Sequence, residues 1–271
     1  MVVSSESSTG CVVFLLGKEI RCIEMEIKPA DDIIISPAAG NSNHQQDRLP
    51  TGIEFWKQVA LAQPCRVCHY KDNTYVCTQR MVVERIGKDG KFTNSFIKLN
   101  GYPCGIIAHK DRLYILTKGK PHTIHGYSLQ GQMIVSWAHS DYFAGDPLCR
   151  TLTIIDDELV IVDRTNKKFT YYSLNGDLLR SVRYDGIEKR KMSLCHAGGD
   201  SIIVTNCDAF HGLLKFNLVS GAVEWTSNAV KQPSVVMMLN KKYALATEIE
   251  NSAEEEVFIV FNLMTGEMLL C

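Results

Sequence analysis

Short apolar runs alternate with polar turns along most of this chain. Between 101 and 145, Ile106-Ile107-Ala108 leads to a Lys110-Asp111 turn, and Leu113-Tyr114-Ile115-Leu116 leads to a loop through Gly119-Lys120-Pro121. Ile124 to Leu129 then ends at Gln130-Gly131, and Met133 to Trp137 follows. Apolar runs of this length, cut by Gly, Pro and Asp, predict four strands joined by turns. The next stretch repeats the pattern, with Thr151 to Ile155, the Asp156-Asp157 turn, Leu159 to Val162, Phe169 to Leu174, Asn175-Gly176 and Leu178 to Val182. No helical period of comparable strength competes with it.

The turn glycine recurs as Thr9-Gly10, Thr51-Gly52, Asp89-Gly90, Gln130-Gly131, Asn175-Gly176, Ser220-Gly221 and Thr265-Gly266, the last four spaced 45 residues apart. Glycine after a polar residue supplies the positive φ that a tight hairpin requires. A four-stranded unit cannot bury both faces of its sheet alone, and radial stacking around an axis solves this, which predicts a β-propeller. Aligning the glycines gives six four-stranded blades, near 20–61, 62–99, 100–145, 146–190, 191–231 and 232–271, within one all-β domain over 1–271; seven blades is the alternative.

The first unit is the divergent one. Thr51-Gly52-Ile53-Glu54-Phe55-Trp56 with Gln63-Pro64 matches Ser220-Gly221-Ala222-Val223-Glu224-Trp225 with Gln232-Pro233, which supports a blade there, while 37–48 loses apolar alternation and reads as a long loop. Thr9 to Leu16 resembles a fourth strand without the three before it. It is expected as an extra N-terminal strand at the ring junction, either a fifth strand or a replacement for the C-terminal one.

A length of 271 residues suits one large all-β domain. With 45% apolar residues, 22% charged residues and a net charge of -1, the composition argues against disorder and against wholesale attachment to nucleic acid or membrane. The first residues carry no secretory pattern and no run is long enough to span a bilayer, so a cytoplasmic monomer without membrane contact is expected. Most of the 10 cysteines sit inside apolar runs, where a thiol acts as a small buried hydrophobe.

Tyr102-Pro103-Cys104-Gly105-Ile106-Ile107-Ala108, Asp111-Arg112-Leu113-Tyr114-Ile115 and His122-Thr123-Ile124 together resemble NHL-type propeller repeats, whose pattern runs from Pro-x-Gly-Ile-Ala to Asn-His-Arg-Ile. The fourth unit resembles them too, with Thr165-Asn166-Lys167-Lys168 standing for Asn-His-Arg. The last two units, with Phe216-Asn217-Leu218-Val219-Ser220-Gly221 and Trp225, are more similar to quinoprotein-type blades. The resemblance implies a binding platform, often in ubiquitin-ligase or RNA-regulatory proteins and less often a lactonase or lyase.

Candidate chemistry is local. Cys65-Arg66-Val67-Cys68-His69 matches a haem-attachment pattern, but it aligns with an inner strand where that chemistry needs a local helix, so no cofactor is expected. His122 and His125 fall on opposite faces of one strand and cannot share a metal. His69, His109 and His196 read as polar residues of the first turn in their blades.

The leading expectation is a non-catalytic scaffold that binds a protein or peptide on the face carrying the 2-to-3 loops and the blade-to-blade connections. Its anchors are His122, Tyr142 and Phe143, with Arg164 and His211 setting polarity around them. One alternative is a calcium-dependent lactonase or hydrolase with Asp163, Asp208 and Glu248 as ligands. Another is single-stranded RNA binding through Lys167, Lys168, Arg180, Arg183, Lys189, Arg190 and Lys191 beside Tyr171, Tyr172 and Tyr184.

Overall fold

The computed structural model describes residues 2–4, 9–16, 19–26, 59–60, 64–87, 91–139, 152–163, 166–187, 193–207, 212–228, 230, 233–238, 243–249 and 256–270. Two four-stranded sheets come first in the chain: β1 (Val2–Ser4), β2 (Thr9–Leu16), β3 (Glu19–Glu26) and β4 (Val59–Ala60), then β5 (Pro64–Tyr70), β6 (Asn73–Thr78), β7 (Val82–Gly87) and β8 (Phe92–Lys98). Four blades of the repeating form follow. They are β9 (Tyr102–His109), β10 (Arg112–Lys118), β11 (His122–Ser128) and β12 (Met133–His139); β13 (Leu152–Ile155), β14 (Glu158–Asp163), β15 (Lys168–Ser173) and β16 (Leu178–Arg183); β17 (Leu194–His196), β18 (Ser201–Cys207), β19 (Gly212–Asn217) and β20 (Val223–Ser227); and β21 (Pro233–Met238), β22 (Tyr243–Ile249), β23 (Glu256–Asn262) and β24 (Met268–Leu270). Each sheet is an antiparallel meander. First strands stand side by side, β5 against β9, β9 against β13, β13 against β17 and β17 against β21, and β1 lies against both β5 and β21.

The expected six four-stranded blades, and the seven-bladed alternative, are corrected here: the four-stranded blade with its turn glycine in the 45-residue period occurs four times, at 102–139, 152–183, 194–227 and 233–270. The glycine period does not describe 20–61. Ile20 does not open a blade, because Glu19–Glu26 is the third strand of the first sheet, and Thr9–Leu16 is its second strand rather than an extra one. Gly10 therefore lies inside a strand, paired with Met25, and not at a hairpin turn. The stretch 37–48 and the Gly52 turn lie outside the described residues.

Burial explains why the middle of each blade reads as an unbroken apolar run. Second and third strands are covered on both faces by neighbouring blades, so Leu113 to Leu116, Leu159 to Val162 and Phe169 to Tyr172 are buried, whereas the outer strand β16 is exposed along most of its length. Between the 102–139 and 152–183 blades, Tyr114, Leu116 and Ile124 pack on Leu159, Ile161 and Tyr172. Between the 152–183 and 194–227 blades, Phe169 and Phe216 stack at 5.6 Å within a shared core. Burying each such ring or branched side chain contributes about 1.5–3 kcal/mol.

The recurring glycine has two reasons. Gly131, Gly176, Gly221 and Gly266 all hold positive φ, from +69° to +100°, at the hairpin between third and fourth strands. Three of them also lie beneath an aromatic ring of the preceding sheet. A Cβ on Gly176 would stand 2.8 Å from Cδ2 of Trp137, one on Gly266 2.8 Å from Cδ2 of Trp225, and one on Gly131 3.3 Å from Cζ of Phe96.

The hairpins between first and second strands tie blades together at the same end. Lys110 and Asp111, and likewise Asp156 and Asp157, hold positive φ at both central positions, a role filled by Gly198 and Gly199 in the 194–227 blade. Lys71 pairs with Asp111 at 2.5 Å, and His109, at 2.6 Å, and Lys110 both reach Asp157. Each contact crosses from one sheet to the next.

A polar seam between two blades as candidate functional site

Chain direction puts the ends of β10, β12, β14 and β16 and the starts of β11 and β15 on the face opposite the glycine hairpins. There the seam between the 102–139 and 152–183 blades gathers polar side chains instead of continuing the apolar core. His139 is the centre of this group. Period-two alternation along β12 turns Val135, Trp137 and His139 inward, and His139 ends the strand only 1% exposed.

The His139 ring meets Tyr172 edge-on at 5.7 Å, and Nδ1 shares a 2.9 Å hydrogen bond with the Tyr172 hydroxyl. Nε2 is buried, and among the described residues it has no hydrogen-bond partner. Burial drives the imidazole pKa down to about 4, with His122 and Lys168 adding to the depression and the Asp163 carboxylate opposing it. Burial and the same carboxylate raise the Tyr172 phenol above its ordinary value. At neutral pH the seam is closed by an uncharged imidazole.

Asp163, the last residue of β14, is fully buried. Its Oδ1 accepts from the Asn166 backbone N–H at 2.9 Å, its Oδ2 accepts from the Asn166 side-chain amide at 2.8 Å, and the Lys168 ammonium stands 3.7 Å away. The carboxylate thus anchors Asn166 just ahead of β15. Across the seam His122 pairs in register with His139, and its Nδ1 accepts the Gly119 N–H at 3.2 Å, which fixes that nitrogen as the unprotonated one.

Three of the residues singled out by sequence, His122, Asp163 and Lys168, are therefore brought together although each came from a different functional reading. Tyr142, Phe143, Arg164, His211, Asp208, Lys189, Arg190 and Lys191 lie outside the described residues. In sequence, Tyr142 follows His139 by three residues and Arg164 directly follows Asp163. Glu248 lies on β22 in register with Pro233 and Val257. Among the described residues no group of three His, Cys, Asp or Glu is placed to hold a metal ion.

The described cations of the RNA reading have anionic or carbonyl partners. Arg180 pairs with Glu158 at 2.7 Å and lies over the Tyr171 ring at 4.0 Å; Arg183 pairs with Asp185 at 2.8 Å, and Lys167 donates to the Asp185 carbonyl at 2.8 Å. Tyr171 and Tyr172 are buried, and Tyr184 packs on Phe216 with ring centroids 4.7 Å apart. Cys65 to His69 runs along strand β5, with Cys68 buried and its thiol pushed up to about 12 by that burial. His69 and His196 hydrogen-bond locally, to Thr74 at 2.9 Å and to the Gly199 carbonyl at 2.8 Å.

His139 escapes the sequence reading, and Tyr172 enters it only as a stacking ring of the RNA reading. The signal was a histidine on the inward register two residues beyond Trp137, where an apolar side chain is the default.

No protein-family model matches the chain, and no curated protein matches it in sequence. Solved structures do match in shape. A protein of unknown function from Bacteroides caccae aligns with a TM-score of 0.65 at 12% identity, covering 95% of this chain and 91% of that one. The WD40 domain of Neurospora crassa Pan2 aligns at 0.59 with 10% identity over 77% of this chain and 65% of that one, and the WD40 β-propeller domain of Doa1 at 0.55 with 10% identity over 77% and 68%. Together with the sheet topology, these show that the chain is a β-propeller.

Proposed function

We propose that this propeller is a non-catalytic platform that seats a protein or peptide over the seam at His122, His139, Asp163 and Lys168. The observation that carries this reading is the convergence of those four side chains from two blades on one face. Buried polar groups in a scaffold seam sacrifice apolar packing, and partner recognition is a reason to retain them. Tyr142, Phe143 and Arg164 adjoin the seam in sequence and would supply the aromatic and guanidinium anchors on which interfaces concentrate their energy. His211, between β18 and β19, belongs to the corresponding loop of the next blade. The likeness of 102–124 to NHL-type repeats supports substrate recognition within a larger assembly such as a ubiquitin ligase.

The test is site-specific photo-crosslinking in cells from position 122 and, as control, from position 130 in the hairpin on the opposite face. Defined protein adducts from 122 that are missing from 130 are expected. Adducts at equal yield from both positions, or none from 122, would overturn the assignment.

A further inference from the structure

The two blades that meet at the polar seam carry their charge unevenly. On the hairpin face their described acids are Asp111, Asp156, Asp157, Glu158 and Asp177, and the cations there are Lys110, Arg112 and Arg180. On the face that holds the seam the balance reverses. Lys118, Lys120, Lys167, Lys168 and Arg183 stand there against Asp163 and Asp185 alone among the described residues. Both of those carboxylates are engaged: Asp163 is fully buried and holds Asn166 and Lys168, and Asp185 pairs with Arg183 at 2.8 Å.

The lysines come from the same place in each blade, the connection from second to third strand. Lys118 ends β10 and Lys120 lies just ahead of β11, while Lys167 lies just ahead of β15 and Lys168 begins it. Lys167 donates to a backbone carbonyl, which leaves its charge uncompensated. In register across β15 and β16, Lys168 stands opposite Arg183, a like-charge pair that the sheet itself does not favour. His122 adds a donor at the seam, because an Nδ1 that accepts the Gly119 N–H leaves the ring proton on Nε2. This end of the seam is therefore positive and rich in N–H donors.

We propose that the partner segment seated over the seam is acidic, a stretch rich in Asp and Glu whose carboxylates meet Lys118, Lys120, Lys168 and His122. The inference rests on the platform reading above and names the chemistry of its partner. Opposite charge across an interface steers the encounter and fixes its register. A single-stranded nucleic acid also meets the charge, but it depends on exposed rings on which its bases stack. Tyr171 and Tyr172 are buried, and the exposed large apolar side chains among the described residues include no aromatic ring. Carboxylates need only ammonium and imidazole donors.

Fluorescein-labelled decaglutamate, followed by anisotropy at about 20 mM salt, tests this. Saturable binding is expected, weakened about tenfold by the double change Lys118→Glu and Lys120→Glu. That variant leaves Asp163 and its partners in place, and Lys168→Gln serves as the second variant, with a smaller loss expected. Lys110→Glu with Arg112→Glu alters the net charge equally on the opposite face, and it is expected to keep the affinity within about twofold. Absence of saturable binding, equal losses from the two double variants, or decauridylate bound as tightly as decaglutamate would each overturn the proposal. Cross-linked adducts from position 122 alongside any of these results would retain the platform and remove its acidic partner.

Discussion

At the scale of single residues, the turn glycines and His139 show how one position answers to two constraints. Gly176→Ala must place a side chain at positive φ, at about 1–2 kcal/mol, and must also displace the Trp137 ring, which adds roughly 1–3 kcal/mol of overpacking. Gly221→Ala meets only the first cost. Denaturant unfolding is expected to rank Gly176→Ala and Gly266→Ala as the more damaging changes, and equal losses at all three would contradict the ring contacts. His139 answers to burial and to its charged neighbours. Its folded pKa near 4 lies below the unfolded value of 6.5, so its contribution is complete above pH 6.5 and is lost as pH falls toward 4. That loss amounts to at most about 3 kcal/mol. His139→Phe should flatten the fall in urea midpoint between pH 7 and 4.5; an unchanged slope would place the pH sensitivity elsewhere.

Whole strands were the most readable level of this chain. The β5 cysteines illustrate it: alignment with an inner strand, rather than the local Cys-Arg-Val-Cys-His spelling, identified their setting. Burial holds the Cys68 and Cys195 thiols near 12 and Cys77 well above its ordinary value, so almost no thiolate forms at pH 8. Iodoacetamide followed by mass spectrometry should leave all three unmodified in the native protein and label them in urea; native labelling of Cys68 would show that β5 opens. Strands from Tyr102 onward were legible because apolar runs, double-residue turns and glycine hairpins agree there. The first sheet was not legible. Gly10 imitates a hairpin glycine, and β4 is only two residues long, too short to register as an apolar run. The seam escaped for another reason, since His139 and Tyr172 are 33 residues apart and meet only when two blades stack.

For the whole molecule, the consequential strand is the three-residue β1. β1 pairs with β2 through Val2 to Val13, Val3 to Val12 and Ser4 to Cys11, and it lies against β5 on one side and β21 on the other. It joins the beginning of the chain to its final blade. Deleting residues 1–8 is expected to lower the melting temperature by roughly 5 °C or more and to broaden the transition; an unchanged, equally sharp transition would show that closure does not depend on β1. The rings over the turn glycines carry a further meaning for how such molecules can be rebuilt. Trp137 belongs to one sheet and completes the hairpin of the next, as Trp225 does for Gly266. A blade transplanted alone into another repeat array would leave its own ring without a glycine and arrive with a glycine lacking its ring. The transferable unit is the joint between two sheets, and any recombination of this fold has to be cut within blades rather than between them.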